Sequence, residues 1–198
     1  MTPYDYADVR REFWKTCFGE ASSYEDYLAL SPPHKAKRFS DLAQKIPPVA
    51  APQQERLRAI ARPLNVLVVS GIWCGDCVRQ VPMIRHIAGV CGDPVHLRVI
   101  DRDVNPALRD EVRILGAMRV PVAVFLSEDF FEVARFGDRT LSHYRRKAKA
   151  ELGAACPVPF AVPPSDELAS EQAEWADVFE RVLLMVRLSP LYRERYSD

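Results

Sequence analysis

Two cysteines separated by two residues are the side chains of this sequence best suited to chemistry. They belong to the segment Trp73-Cys74-Gly75-Asp76-Cys77. A pair with this spacing, in a chain that has no framework of paired cysteines, is typical of thiol–disulfide exchange or of metal binding. One helical turn between the two sulfurs would allow them to close a disulfide. We therefore predict that this pair performs the chemistry of the protein.

The elements around the pair predict the role of each sulfur. The apolar run at 66–69 is typical of a buried parallel strand. Apolar residues then recur at helical spacing from Cys77, which predicts a helix that begins at the motif and ends by Gly92. Cys74 then lies at the helix N-terminus, where unpaired N–H groups and the helix dipole favour the thiolate. We expect Cys74 to be the nucleophile and Cys77 to be the resolving thiol.

The order of the predicted elements is that of an α/β protein. Strands are predicted at 66–69, 95–99, 121–126 and 130–136. Helices are predicted after the motif, from Asn105-Pro106 to Gly116, and over about 140–152. A helical crossover makes the first two strands parallel, and a tight turn makes the last two an antiparallel hairpin. We predict a mixed sheet of about four strands flanked by helices.

Three features in this order resemble the thioredoxin family. The motif at 73–77 looks like the family's active site, and Pro82 stands where the family has a proline in its active-site helix. The loop at 116–121 resembles the family's cis-proline loop. The resemblance covers residues 53–152. It implies a thioredoxin fold and a thiol–disulfide oxidoreductase that needs no metal and no organic cofactor.

The resemblance also assigns roles to residues near the sulfurs. It implies that the Val120–Pro121 peptide bond is cis, that this loop lies against the cysteines, and that its backbone binds an extended substrate. Trp73 would shield one side of the site, and Gly75 and Asp76 separate the two sulfurs. The implied partners are a disulfide-containing protein or small molecule, and a reductase or thiol donor that restores the dithiol.

Two residues depart from the family's pattern. Val68 stands at the position of the family's buried acid, with only Ser70 nearby, so the sequence assigns no acid to proton transfer there. Asp76 replaces the usual proline, and its carboxylate should oppose thiolate formation and disfavour anionic substrates. Asp76 could instead accept the proton of Cys77. Thioredoxin-related proteins with an aspartate at this place imply a short list of clients.

Clusters of prolines divide the chain into three parts. We predict a helical N-terminal extension at 1–52 that packs on the core, a thioredoxin-like domain at 53–152, and a Pro-rich segment with an amphipathic helix at 153–198. The N-terminal helices are expected near 3–18, after Ser22 with Glu25 in capping-box spacing, near 33–46 and near 53–61.

The C-terminal helix is predicted to begin at Ser165 and to pack back on the domain. Its apolar residues at helical spacing are Leu168, Trp175, Phe179, Val182 and Val186.

The other cysteines are predicted to have structural roles. Cys91 shares the apolar stripe of the active-site helix and Cys17 lies in an amphipathic segment, so both are expected in the core. Cys156 is expected to be a loop cysteine. The four histidines lack the spacing of a metal or protease site, and the basic run at 145–149 is expected to be a solvated face.

The composition limits the expected partners and location. The 198 residues include 27 basic and 27 acidic side chains, and this balance predicts no attraction to nucleic acid or to an anionic membrane. No apolar run approaches the roughly 18 residues that span a bilayer, and the N-terminus lacks the pattern of a signal peptide. We therefore expect a cytoplasmic disulfide reductase.

Two other functions remain open from the sequence. The cysteine pair could hold a metal or an iron–sulfur cluster together with further cysteines. The domain could also be a non-catalytic interaction module with a thioredoxin fold.

Overall fold

The computed structural model describes residues 6–152 and 166–197. Its centre is a sheet formed by β1 (Leu64–Ser70), β2 (Val95–Asp101), β3 (Val122–Ser127) and β4 (Glu132–Gly137). The helices of the described residues are α1 (Arg11–Glu20), α2 (Tyr24–Ala29), α3 (Pro33–Ala43), α4 (Ala51–Ile60), α5 (Gly75–Cys91), α6 (Pro106–Glu111), α7 (Leu141–Leu152), α8 (Glu167–Arg187) and α9 (Pro190–Tyr196).

The sheet has the strand order β2-β1-β3-β4. β1 is parallel to β2, with Val68 opposite Val99, and antiparallel to β3, with Val68 opposite Ala123. β3 and β4 form an antiparallel hairpin. Every residue of β1 is buried, as expected of a central strand in a sheet flanked by helices. The arrangement confirms the predicted thioredoxin fold with further helices toward both termini.

Helix α5 connects the two parallel strands and carries a buried apolar face. Its buried residues include the predicted stripe of Val81, Ile84, Ala88 and Cys91. α8 packs against α4, α5 and α7. Its Phe179 ring meets the Phe125 ring of β3 edge-on, with 5.2 Å between the centroids. The C-terminal helix therefore packs on the domain as its apolar spacing predicts.

A short segment before α2 attaches this helix to the sheet. The Ser22 N–H donates to the Val99 carbonyl (3.0 Å), and the Val99 N–H donates to the Ser22 carbonyl (2.8 Å). These bonds fix α2 beside β2, with which it also packs. Tyr27 of α2 is consequently only 7% exposed.

The first two helices begin at other residues than the sequence predicts. α1 runs from Arg11 to Glu20, so residues 6–10 of the helix predicted near 3–18 precede it, and residues 3–5 lie outside the described residues. α2 is capped by Ser23, whose hydroxyl accepts a hydrogen bond from the Asp26 N–H (3.0 Å), and not by Ser22. Ser22 is instead used in the bridge to β2.

Later boundaries also differ. α6 ends at Glu111 and not at Gly116, which has a φ of 73° in the following turn. β4 begins at Glu132, because Phe130 has a φ of 62° and belongs to the turn before it. Asp166 caps α8, whereas the predicted cap Ser165 lies outside the described residues. α9 is not predicted from the sequence.

Candidate active site

The junction between β1 and α5 positions both cysteines. β1 ends at Ser70, and a hydrogen bond from the Cys74 N–H to the Gly71 carbonyl (2.9 Å) closes the turn that follows. Cys74 immediately precedes α5 with an extended conformation (φ −81°, ψ 127°), next to the unpaired N–H groups of the first turn. Gly71 suits this turn because a Cβ there would lie 2.9 Å from the Trp73 ring.

Cys74 is the more accessible and more acidic sulfur of the pair. Its side chain is partly exposed. A hydrogen bond from the Cys77 thiol, helped by the N–H groups of Cys77 and Asp76, lowers the pKa of Cys74 to about 6, although burial opposes the shift. Near neutral pH this sulfur is therefore mainly a thiolate.

Cys77 has the opposite character. It is fully buried, and the Gly71 N–H donates to its Sγ at 3.3 Å. Burial, together with the neighbouring Cys74 sulfur, raises the pKa of the Cys77 thiol well above its usual value. The pair thus combines an accessible thiolate with a thiol held beneath it.

The loop before β3 lies against Cys74. The Val120–Pro121 peptide bond is cis, as the resemblance implies, and the Val120 carbonyl oxygen lies 3.5 Å from the Cys74 Sγ. Gly137, at the end of β4, approaches so closely that a Cβ there would lie 2.6 Å from the Pro121 carbonyl oxygen. The loop is therefore held between Cys74 and the end of β4.

Trp73 forms one wall beside the pair and is 44% exposed. The guanidinium of Arg102 lies 4.7 Å from the centroid of the indole ring, in a cation–π arrangement. Arg102 also donates a hydrogen bond to the Met118 carbonyl (2.7 Å). This contact ties Trp73 to the loop that follows β2 and to the segment before the cis peptide.

A cleft of about 440 Å³ opens beside Cys74. Its charged lining residues are Arg102, Arg119, Arg139, Lys147, Asp76 and Asp138. Four cations against two carboxylates leave an excess of positive charge around the accessible sulfur. Of these six, the sequence assigns only Asp76 to the site, and it places Lys147 in a basic run expected to be a solvated face. The others come from segments far from the motif along the chain.

Asp76 faces α7 and the residue before it. Its carboxylate forms a salt bridge with Arg139 (2.6 Å between Oδ2 and a guanidinium nitrogen) and lies 4.0 Å from the His143 Nε2. The Asp76 charge also raises the pKa of Cys74, but its effect is smaller than those of the Cys77 thiol, of burial and of the two N–H groups. The expectation that Asp76 disfavours anionic substrates therefore does not fit this cleft, because Arg139 compensates the charge.

Asp138 is a buried anchor for the cationic side of the cleft. Its carboxylate accepts hydrogen bonds from Arg119 (2.9 Å) and from the Tyr144 hydroxyl. Burial alone would raise the pKa of Asp138, but the bonds from Tyr144 and Arg119 hold it below its usual range. The Gln80 side chain donates to the Asp138 carbonyl (2.7 Å), which links this anchor to α5.

Hydroxyl groups lie behind Cys77, at the place where the resemblance leads one to expect an acid. Alternate residues of a strand share one face, so Val68 and Ser70 face the same side of β1. Both are fully buried, and a hydrogen bond between Ser70 and Cys77 moderates the raised pKa of Cys77. The Tyr27 hydroxyl donates to the Ser70 Oγ at 3.2 Å. No sequence pattern near Tyr27 indicates this contact, because Tyr27 precedes Ser70 by 43 residues.

The remaining cysteines lie away from the cleft or outside the described residues. Burial raises the pKa of Cys17 to about 11 and that of Cys91 to about 12, which fits the predicted packing roles. Cys156 lies outside the described residues.

The basic run at 145–149 is more than a solvated face. Arg146 forms salt bridges with Glu167 (3.0 Å) and with the fully buried Glu171 (3.3 Å), and Lys147 lines the cleft. His143, on the same helix, is partly buried beside Asp76, whereas the other three histidines are exposed.

The described residues contain neither a metal-binding cluster nor a membrane-spanning helix. Within 6–152 and 166–197, no three His, Cys, Asp or Glu side chains are grouped so that they could hold a metal ion. In the same ranges, no helix has both the length and the apolar character needed to cross a membrane.

A protein-family model described as Thioredoxin matches residues 21–144. The chain belongs to the thioredoxin family. The match begins before α2, so it includes helices that the sequence analysis assigns to an N-terminal extension. No curated protein matches the chain in sequence.

Two solved structures resemble this thioredoxin-family protein in fold. One is the crystal structure of a protein of unknown function, PA1234, from Pseudomonas aeruginosa, with 16% identity and a TM-score of 0.66. That match covers 91% of this chain and 99% of that chain, well beyond residues 53–152. The other is an HIV epitope-scaffold with 17% identity and a TM-score of 0.62, covering 86% of this chain and 97% of that chain. At these identities both show the fold alone.

Proposed function

We propose that this protein is a thiol–disulfide oxidoreductase that reduces disulfides through Cys74 and Cys77. The observation that carries the proposal is the contrast between the two sulfurs. Cys74 is partly exposed with a lowered pKa, and Cys77 is buried with a raised pKa. The first can attack a disulfide in solvent, while the second stays protonated until a mixed disulfide forms. Membership of the thioredoxin family supports the same function.

The reaction consists of two thiol–disulfide exchanges. The Cys74 thiolate attacks one sulfur of the substrate, and the other substrate sulfur leaves as a thiolate. Cys77 then loses its proton and attacks Cys74, so a Cys74–Cys77 disulfide forms and the second substrate thiolate leaves. The released thiolates take protons from solvent. Two electrons have passed to the substrate, and a separate reductase or thiol donor returns them to the protein.

The residues around Cys74 would position the substrate disulfide. The backbone of Val120 and Pro121 lies beside the sulfur and would align an extended segment, while Trp73 would cover the opposite side. A Cβ at Gly75 would meet no atom within 4 Å, so this position leaves open space next to Cys74. Asp76 would act mainly by holding Arg139 at the cleft.

The excess positive charge of the cleft favours substrates that carry acidic groups near their disulfide. Arg102 and Lys147 line the cleft, and the carboxylates that form salt bridges with them, Asp103 and Glu151, are more than half exposed. Positive charge around a reactive sulfur raises the rate at which anionic partners associate. We propose an acidic peptide disulfide or a small disulfide with carboxylates as the client class.

A redox titration of the pair tests the central proposal. Wild-type protein equilibrated in thiol–disulfide buffers should form a Cys74–Cys77 disulfide reversibly, with the fraction oxidised measured by alkylation and mass spectrometry. Cys77→Ser should accumulate mixed disulfides with clients, whereas Cys74→Ser should not. Failure to form the disulfide at any potential would reject the proposal.

The same preparations separate the two other functions that the sequence leaves open. Visible absorbance and metal content in protein purified without oxygen would indicate a metal or iron–sulfur site. A pair that neither oxidises nor binds metal would leave an interaction module with a thioredoxin fold.

A further inference from the structure

We propose that Tyr27 and Ser70 form a hydroxyl path that carries the proton away from Cys77 during the resolving step. The inference rests on the proposed function, because it concerns the second exchange of that reaction. It gives α2, a helix of the N-terminal part of the chain, a positioning role in a reaction whose two sulfurs belong to Cys74 and Cys77.

Cys77 cannot attack while it remains a thiol, and its burial keeps bulk water away. The nearest carboxylate along the chain, Asp76, is engaged by Arg139. On the strand behind Cys77, Val68 contributes a fully buried hydrocarbon side chain. The proton must therefore leave through another polar group that reaches the sulfur.

Ser70 is that group. It is fully buried at the end of β1, directly before Gly71, whose N–H donates to the Cys77 Sγ at 3.3 Å. The Ser70 hydroxyl at this place lowers the raised pKa of Cys77 and so favours the thiolate. A hydroxyl can accept one proton while it donates another, so it can pass a proton without holding a charge. Its second partner is the Tyr27 hydroxyl at 3.2 Å.

Tyr27 extends the path toward the surface. It lines a cavity of about 310 Å³ whose lining also includes Glu20 and Asp101. Burial raises the pKa of Tyr27 well above its usual value, so this hydroxyl stays protonated and acts as a relay. The charged or titratable groups that face the path are Cys74 at the inner end and Glu20 and Asp101 at the outer end.

The step balances in protons and electrons. The Cys77 sulfur forms a bond to the Cys74 sulfur, and the bond from Cys74 to the substrate sulfur breaks. The electron pair of the broken bond leaves with the substrate thiolate. In the resting site Tyr27 donates to Ser70, so both hydroxyls turn for this transfer. The Cys77 proton then moves to the Ser70 oxygen, the Ser70 proton to the Tyr27 oxygen, and the Tyr27 proton to water in the outer cavity.

A single-turnover reaction with dithiodipyridine tests the path, because this neutral disulfide releases an absorbing thione at each exchange. One equivalent should give two phases, the first from attack by Cys74 and the second from attack by Cys77. Tyr27→Phe should slow the second phase by about tenfold at pH 7 and leave the first unchanged. The pH at which the second phase reaches half its maximum rate should also rise.

Tyr24→Phe is the matched control. Tyr24 lies on the same helix, is 8% exposed, and its hydroxyl has no hydrogen-bond partner among the described residues. This variant should keep both phases and their pH profiles. Ser70→Ala removes the other end of the hydrogen bond and should reproduce the effect of Tyr27→Phe, so either variant that folds decides the question.

The outcomes distinguish this inference from the proposed function. A wild-type protein without a second phase would reject thiol–disulfide exchange by the pair. A normal second phase in wild type that Tyr27→Phe leaves unchanged would reject the path alone. Equal slowing of both phases would assign Tyr27 a general structural role and would also overturn the path.

Discussion

The two sulfurs of the motif lie in regions that are built in different ways. Cys74 faces a cleft lined by the cis-peptide loop and by charged side chains from loops and α7. Cys77 faces the end of β1, where Ser70 is hydrogen-bonded to the Tyr27 hydroxyl of α2, and both residues are buried. Loops around the first sulfur can vary without disturbing the core, whereas the surroundings of the second belong to the core itself. Substrate choice and proton handling are therefore served by separate parts of the molecule.

The first prediction tests the difference in accessibility between the sulfurs. At pH 7, iodoacetamide should alkylate Cys77 in the Cys74→Ser variant at least about a hundredfold more slowly than it alkylates Cys74 in the Cys77→Ser variant. The reason is that Cys77 is fully buried and its pKa is raised. Peptide mass spectrometry assigns the label to one cysteine. Comparable rates at the two positions would contradict the asymmetry.

The second prediction concerns the origin of the Cys74 acidity. Alkylation of wild-type Cys74 should reach half its maximum rate near pH 6, be level above this pH and fall below it, because only the thiolate reacts. Cys77→Ala removes the main hydrogen-bond donor and should move this midpoint upward, toward about 8.5. Cys77→Ser keeps a donor and should move it less. An unchanged midpoint in Cys77→Ala would assign the acidity to the helix N-terminus alone.

The third prediction concerns the charge of the cleft. Reduction of dithiodiglycolate, an anion, should have a kcat/KM about tenfold higher than that of cystamine, a cation, and salt should weaken the preference. The double variant of Arg102→Gln and Lys147→Gln should reduce the ratio to about threefold or less. Lys45→Gln, an exposed lysine outside the cleft lining, is the control. A cationic preference in wild type would overturn the assigned client class.

The smallest effect is expected at Asp76. Its charge raises the pKa of Cys74 only weakly, so Asp76→Asn should move the alkylation midpoint slightly downward. The second phase with dithiodipyridine should stay unchanged. A slowed second phase would restore Asp76 as the proton acceptor of Cys77 and would contradict the path through Ser70.

The fold could be predicted because its signals are local. The apolar run of β1 and the helical stripe of α5 are readable within short windows, and the motif lies between them. The cis-peptide loop could be predicted only through the resemblance to a family. Boundaries such as the end of α6 depend on backbone conformation at Gly116, which side-chain patterns determine poorly.

The surroundings of the site could not be predicted, because they depend on long-range contacts. Arg139 follows Asp76 by 63 residues, and nothing in the sequence near either residue indicates the salt bridge that compensates the carboxylate. Tyr27 belongs to a helix whose placement is fixed by the bridge between Ser22 and Val99. Both contacts join residues that are distant in the sequence and meet only in the folded chain, so no local pattern indicates them.

The exposed indole beside Cys74 gives the protein an intrinsic optical reporter of its oxidation state. Of the three tryptophans, Trp14 and Trp175 are fully buried, whereas Trp73 is 44% exposed and directly precedes Cys74. Emission that changes between the dithiol and the disulfide should therefore come from Trp73. Fluorescence can then follow the redox state of unlabelled protein in real time, with Trp73→Phe as the silent reference.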